Sequence, residues 1–510
     1  MDDAILSTAI QGIAEIEQAA MPSDGKLDTD PKWFMQQEPP LQKRRRKRPR
    51  NQLAEDAGRG GYYPCSDMGN AERLRDKYGH VIKYVGTWDK NLAWDGTRWK
   101  LDHVKQIERW AKLTVRKIRD EAARAGKENP PDVDPDELWD WSKASESRPK
   151  LASMIALLAS ETGIAIDHSV LDSDGWLLNC ENGTVCLKTG ELRPHDPEDL
   201  ITKTTGIQYP TEAGDDAVLW LETLDTILGG DAELIRFVQK LLGLALIGHV
   251  YENILPILWG CGANGKSVFI ETAMAAMGEY AMKAPRGMLL AKKNESHPTE
   301  IADLHGRRLV AIVETGDGQR FDEALVKEIT GGDTLRARRM REDFWQFQPT
   351  HTPIMVSNYK PTVRGNDHGI WRRLRLIPFT VTIPAEEQDK QLTEKLRAEL
   401  PQILRWMVEG CLAYQREGLT APPIVMAATD EYRADNDTLG QWLEERCEQS
   451  PEYATKASEL WTSYKYWLED NKERGLGSKT FYQRLGDKFE VHHSNGKRYK
   501  GVRVRLGITP

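Results

Sequence analysis

The chain has 510 residues, 29% charged and 39% hydrophobic, enough for two or more packed domains of ordinary globular composition. A net charge of −8 excludes a uniformly basic nucleic-acid coat and leaves any such contact to local patches. Six cysteines without a cluster in zinc spacing predict reduced thiols and a cytoplasmic setting, and no apolar run approaches the roughly 18 residues of a membrane span.

The acidic start MDDAILSTAI has no signal-peptide pattern and predicts a short helix over 3–20. Residues 21–60 are polar and predict a flexible arm; within them KRRRKRPR at 43–50 reads either as a nonspecific phosphate contact or as a solubilising tail. Alternation around turn signals in VIKYVGTWDKNLAWDGTRWKLD, 81–102, predicts short strands or a hairpin. Residues 103–165 predict helices interrupted by ENPPDVDPD, and 175–195 again predict strands with glycine turns, so 61–210 reads as one mixed domain. A helical lead-in at 217–250 precedes a strand–loop–helix pattern from 254, with further buried strands predicted at 307–314, 352–358 and 372–379. Such alternation argues for an α/β core within 211–425. After TAPPIV, a tail domain over 430–507 predicts three helices and then the paired strands KFEVHH and KRYKGVRVRL.

The chemistry concentrates in WGCGANGKSVF, 259–269, which contains G-x-x-x-x-G-K-S. Gly260 and Gly265 permit turns that a Cβ would obstruct. Successive N–H groups across Gly260, Cys261, Gly262, Ala263, Asn264, Gly265, Lys266, Ser267 and Val268 can surround phosphate oxygens. Lys266 would reach the β/γ-phosphates of ATP, Ser267 would ligate Mg2+, and the helix starting there adds its positive end. Glu314 closes an apolar strand, where it can help hold Mg2+ or position water; Asp317 in the following turn is the weaker choice. Asn358 ends another strand, where its amide can meet the attacking water or the γ-phosphate, or serve only a turn. Arg372, Arg373 and Arg375 can offset charge developing in phosphoryl transfer, and strand alternation would place Arg373 and Arg375 on one face.

GCGANGKS, LHGRRLVAIVETGDG, LVKEITGGDTLRARRM and MVSNYKPTVRGNDHGIWRRLRLIPF follow one another within about 120 residues. Together they resemble a superfamily 3 helicase of the phage/plasmid primase–helicase type, related to the poxvirus D5-like proteins. The resemblance implies an AAA+-like P-loop NTPase core, with Lys266 and Ser267 as the Walker A pair, Glu314 at Walker B and Asn358 as sensor 1. Many such proteins carry two adjacent acids at Walker B, where this chain has Glu314 and Thr315, so a second acid is not identified. The arginine finger would be Arg372 or Arg373, acting on ATP held by the neighbouring subunit of a ring, usually a hexamer. Arg336, Arg338 and Arg339 would lie in a hairpin region facing DNA in the central channel. The flanks resemble a D5-type domain, in which Trp94, Asp95 and Gly96 read as a packed turn, and a C-terminal winged-helix-like domain. In the latter, Ser478 to Arg505 hold eight Lys/Arg and two Asp/Glu, and Lys479, Arg484, Lys497 and Arg498 are candidate DNA contacts.

The implied activity is ATP-driven movement on single-stranded or forked DNA, 3′ to 5′, in phage, plasmid or mobile-element replication, in the cytoplasm of a bacterial host. Primer synthesis is not expected. Asp172 and Asp174 in LDSDGW have the spacing of a turn, and no further acidic constellation joins them for a two-metal site; a separate primase would supply primers. Two other functional classes fit the same motifs: a loader or origin scaffold that does not unwind, and a P-loop ATPase that remodels proteins.

Overall fold

The computed structural model describes residues 62–505, apart from 129–132, 213–215, 292–297, 315, 317, 339–343, 364–367, 472–474 and 494–495. The arm predicted over 1–60, with its basic run, lies outside the described residues. Among them no helix is long and apolar enough to cross a membrane.

Five runs rich in β-branched and apolar residues form one parallel sheet: β1 Leu255–Trp259, β2 Ala281–Lys283, β3 Leu309–Glu314, β4 Thr352–Ser357 and β5 Leu374–Pro378, ordered β5-β1-β4-β3-β2. All six residues of β4 are buried, as expected of a parallel strand covered on both faces. Alternate side chains enter two cores. Leu309, Ala311, Ile354 and Val356 pack with the helices Ala232–Leu246 and Leu400–Glu417, whereas Val310, Ile312, Met355 and Leu376 pack on the opposite side with Phe321 and Val326. The predicted strands at 307–314 and 372–379 thus start two residues late. Sequence reading missed β2, a three-residue edge strand too short to show periodicity.

Helix α1, Lys266–Met277, links β1 to β2. The helices Ala232–Leu246 and Leu400–Glu417 cross with their backbones in contact. A Cβ on Gly243 would lie 2.1 Å from the Cys411 nitrogen, and one on Gly410 would lie 2.2 Å from the Gln239 carbonyl oxygen.

Toward the N-terminus a four-stranded sheet (Ile82–Val85, Lys90–Trp94, Trp99–Leu101 and Ala165–Ile166) packs with three helices around Leu74, Ile82, Trp110, Val115 and Met154, and a fourth, Pro135–Ser145, places Leu138 against Ile118 and Ala122. The following antiparallel sheet, Leu177–Arg193, instead inserts Leu178, Cys180 and Val185 into the core of the helical lead-in. Arg308, which immediately precedes β3, secures this arrangement: its buried guanidinium donates to the Leu246 carbonyl at 2.7 Å and the Leu177 carbonyl at 2.8 Å, over the Tyr280 ring.

The tail forms helices Thr438–Arg446, Ala457–Asp470 and Ser478–Lys488 with a three-stranded antiparallel sheet, around Trp442, Tyr464 and Phe481. Its strand Cys447–Lys456 was not expected from sequence. It is mostly polar, contains Pro451, and pairs with Lys497–Val504 through a register shift between Gln449 and Ala454, all features of an edge strand.

Two stability predictions follow from burial. Gly243→Ala forces the two crossing backbones apart and should cost about 1–3 kcal/mol, read as a lowered thermal transition. His351, which precedes β4, is 2% exposed, and burial pushes its imidazole down to about 4. The unfolded chain binds that proton near pH ~6.5, so up to about 3 kcal/mol of stability should be present above that pH and lost as the pH falls toward the folded value. Acid titration of thermal stability should be flatter for His351→Leu than for the wild type.

Candidate nucleotide site and nucleic-acid interface

The carboxyl ends of the central strands are level. Pro378 of β5 pairs with Trp259 of β1, Trp259 with Ser357 of β4, and Ser357 with Glu314 of β3. Loops leaving these ends share one edge of the sheet, where open α/β sheets bind ligands.

The glycine loop leaves β1 at Gly260. A Cβ there would lie 2.2 Å from the Phe379 carbonyl oxygen, so only glycine allows β1 and the end of β5 to approach so closely. Gly265, at φ 78°, turns the chain into α1, and a Cβ on it would strike Ile227 at 2.3 Å. Ala263 also has positive φ, 55°, and its carbonyl accepts from the Ile383 N–H at 2.8 Å. Gly262 faces open space, and Cys261 and Ser267 are exposed. This is a cradle of tightly turned backbone opening on the N-terminus of a 12-residue helix.

Lys266 is 4% exposed and donates to the Gly260 carbonyl at 2.6 Å and to Asn264 Oδ1 at 2.9 Å. Burial pushes its ammonium below the usual lysine range. Asn264 in turn donates to the Phe379 carbonyl at 3.1 Å. The loop's own carbonyl and amide oxygens therefore hold the cation at the mouth of the cradle.

Glu314 is buried at the end of β3, and its Oε1 accepts from the Gly287 N–H at 2.6 Å. Asn358, one residue beyond β4, is exposed. Ser357 shapes its turn: the hydroxyl donates to the Tyr359 carbonyl at 2.6 Å and accepts from the Tyr359 N–H at 3.1 Å. The fold thus brings Lys266, Ser267, Glu314 and Asn358 to one edge, with Val268 half-buried in the first turn of α1. Thr315 and Asp317 lie outside the described residues.

Arg372 and Arg373 are at the other end of β5, which places them about 16 Å from that edge, at ~3.3 Å per residue. Both precede the strand, so strand alternation does not govern them. Arg373 is 8% exposed and bonds Thr330 Oγ1 at 3.1 Å and the Gly369 carbonyl at 2.6 Å, whereas Arg372 is exposed. Arg375 donates to the Arg372 and Leu374 carbonyls, both at 2.8 Å.

The 329–340 region opens a two-stranded antiparallel hairpin, Leu335–Ala337 with Trp345–Phe347. Arg336 and Arg338 are exposed and flank the ring of Phe344 at 4.5 and 4.9 Å, with Phe344 itself 46% exposed. Arg339 lies outside the described residues. Sequence reading found the arginines and missed Phe344, whose place among them depends on the hairpin pairing. In the tail, Lys479 and Lys497 are exposed, and Lys497 stands over Tyr482 and Tyr499 at 5.5 and 5.2 Å. Arg484 and Arg498 are half-buried, and Arg498 reaches the Ala454 carbonyl at 3.4 Å. Asp172 pairs with Lys203 at 3.1 Å and with Thr202, and Asp174 accepts from the Trp176 N–H at 2.9 Å, so both carboxylates are engaged in local structure.

Three family profiles match in series: a D5 N-terminal-like family over residues 71–229, a family of unknown function (DUF5906) over 258–373, and a poxvirus D5 protein-like family over 434–509. A putative helicase of Acanthamoeba polyphaga mimivirus is 26% identical over 349 residues, covering 64% of this chain and 34% of that protein. A putative helicase of Invertebrate iridescent virus 6 is 27% identical over 276 residues, covering 51% of this chain and 28% of the other. A putative primase of African swine fever virus is 26% identical over 332 residues, covering 59% and 34%. The match thus spans about a third of each relative's length. The apo structure of the NrS-1 C-terminal region is similar at a TM-score of 0.44 and 10% identity, over 86% of this chain and 99% of that one.

The amide of Asn264 joins the Phe379 carbonyl, just past the end of β5, to Lys266. Asn264→Ala should leave the far-ultraviolet circular dichroism unchanged and weaken binding of a fluorescent ATP analogue about tenfold, the equivalent of ~1.4 kcal/mol.

Proposed function

Because this chain belongs to the D5-like primase–helicase family, we propose that it is an ATP-driven DNA helicase of superfamily 3 that moves on single-stranded DNA. The observation that carries the reading is the level edge of the sheet: the glycine cradle, Glu314 and Asn358 end three adjacent strands, while an exposed arginine stands at the opposite end. That is the distribution a ring needs when one subunit holds ATP and the next completes its site.

ATP is the substrate in this reading. The cradle fits a polyphosphate, because the side chains that Gly260 and Gly265 lack would fill the backbone approach that creates it. Lys266 would exchange the Gly260 carbonyl and Asn264 for β/γ-phosphate oxygens, so a cation already desolvated and oriented meets the charge. Ser267 and Glu314 would hold Mg2+, which would supply positive charge against the phosphates. Glu314 and Asn358 would orient the attacking water between them. Arg372 is the better finger because its guanidinium is exposed and lies too far from its own loop, whereas Arg373 holds Thr330 and Gly369. The hexamer, the 3′-to-5′ direction and a separately encoded primase are part of the same proposal.

Arg336 and Arg338 would hold DNA phosphates without reading bases, and Phe344 between them would stack on a base. The tail is read as a winged-helix-like domain that meets forked DNA through Lys479 and Lys497.

The test is unwinding of a labelled fork with a 3′ single-stranded tail. The wild type should separate strands, and Lys266→Ala should lose the activity by 100-fold or more. DNA-stimulated ATP turnover without strand separation would replace the helicase with a loader; turnover indifferent to DNA would replace it with a protein-remodelling ATPase. Arg372→Ala should bind nucleotide but not turn it over. Mixed with Lys266→Ala protein it should regain turnover at about one interface in four, the share in which an intact loop faces an intact arginine in a head-to-tail ring. Absence of any recovery would exclude Arg372 as the residue acting between subunits.

A further inference from the structure

A second concentration of positive charge takes no part in the function argued above. From His103 to Lys127 the chain holds eight Lys/Arg against three Asp/Glu, a net of +5 within a protein of net −8. The helix Gln106–Ala125 buries Ile107, Trp110, Val115, Ile118 and Ala122, which fixes its opposite face toward solvent. At about 100° per residue, Arg109 and Arg116 fall on nearly one line along that face with Lys112 beside it; Lys105 caps the helix in a left-handed conformation, Lys127 follows two residues after its end, and Arg124 stands over the Tyr62 ring at 4.4 Å. All six are exposed.

The neighbouring acids do not cancel this line. Glu121 points elsewhere, held by Arg73 at 2.8 Å. Glu108 pairs with Lys112 at 2.7 Å and Lys105 at 3.6 Å. Asp120 interrupts the exposed face on the line of Arg109 and Arg116, and Glu128, exposed beside Lys127, accepts from the Tyr62 hydroxyl at 2.8 Å. Arg109, Arg116 and Lys127 have no carboxylate partner among the described residues; Arg109 and Arg116 are about 10 Å apart along the axis at ~1.5 Å per residue, and Lys127 lies in the turn past the helix end. The apolar side chain on this face, Leu113, has no hydrogen-bonding group with which to read a base edge. A row of exposed cations along a 20-residue helix matches a continuous run of phosphates rather than one compact anion.

We propose that the outer face of the helix Gln106–Ala125 is a sequence-independent site for the DNA phosphate backbone, separate from Arg336 and Arg338 on the hairpin. It rests on the reading that the protein works on DNA, and it adds a contact on the N-terminal domain that would keep the nucleic acid attached while the hairpin releases and regrips. Contact with phosphates alone makes this face indifferent to sequence and sensitive to salt.

The full chain carrying Arg109→Gln, Arg116→Gln and Lys127→Gln together is compared with the wild type in salt titrations of binding to two forks of unrelated sequence. Loss of three phosphate contacts should lower the slope of log K against log salt by about 2 to 3, at roughly 0.7–0.9 per contact, equally for both sequences. ATP turnover without DNA and the sedimentation of the assembly should not change. An unchanged slope, while Arg336→Gln with Arg338→Gln still weakens binding, would sink this site and leave the helicase reading standing. An unchanged slope with loss of the assembly would assign the face to a second copy of the chain, whose exposed Asp136, Glu137 and Asp140 would then be its partners. A wild type that binds neither fork would overturn the inference and the helicase reading together.

Discussion

The register of the parallel sheet is the constraint on which the site depends. Hydrogen bonding holds β5, β1, β4 and β3 so that Pro378, Trp259, Ser357 and Glu314 form one row. A slip of one residue in any pair would move a terminal group by about 3.3 Å and turn its side chain to the other face. Both faces are apolar and filled, so a slip would exchange Val310 and Ile312 with Leu309 and Ala311 between two differently shaped cores. Burial energy therefore fixes the position of Glu314 relative to the glycine loop without any direct bond between them being required.

Against that fixed row, the loop itself is poised. Taking an ammonium out of water is costly, and Lys266 is nearly fully buried. Two oxygens of the loop offset the cost, and Asn264 ties one of them to the end of β5. Phosphate oxygens offer the same ammonium a stronger, charged acceptor. Exchange of partners thus keeps the lysine hydrogen-bonded throughout, so little reorganisation separates the empty loop from one that holds an anion.

How much of this was legible in the sequence depends on the range of the interaction. The glycine loop was, because its conformation is set by Gly260, Gly265 and the helix that follows. The central strands were legible as apolar runs, but their order was not: that β4 lies between β1 and β3 comes from pairing across about 100 residues of chain. Asn358 and Glu314 could be named as strand ends, and only that order makes them neighbours. The two arginines before β5 read alike in sequence and differ in the fold, because Thr330 and Gly369 capture Arg373 and leave Arg372 outside. The strand Cys447–Lys456 was hidden for the opposite reason: an edge strand with one wet face and a bulge carries too weak an apolar alternation.

β3 is tied to the rest of the fold where it begins as well as where it ends. Arg308 enters the strand bonded to Leu177 of the preceding antiparallel sheet and to Leu246 at the end of the lead-in helix, while Glu314 six residues later closes it. The hairpin is joined to the same region: Trp345 lies edge-on to His305 at 4.8 Å and to His168 at 5.8 Å, and His168 meets Trp88 at 6.0 Å. Aromatic contacts of this kind are worth about 0.5–1.5 kcal/mol each beyond the area they bury. The Ala337–Trp345 end of the hairpin thus meets the N-terminal domain through aromatic rings, with Arg336, Arg338 and Phe344 exposed beside it. In the helicase reading proposed above, a hairpin held by such contacts would be carried from one phosphate to the next by movement of a whole subunit rather than by flexing of a loop.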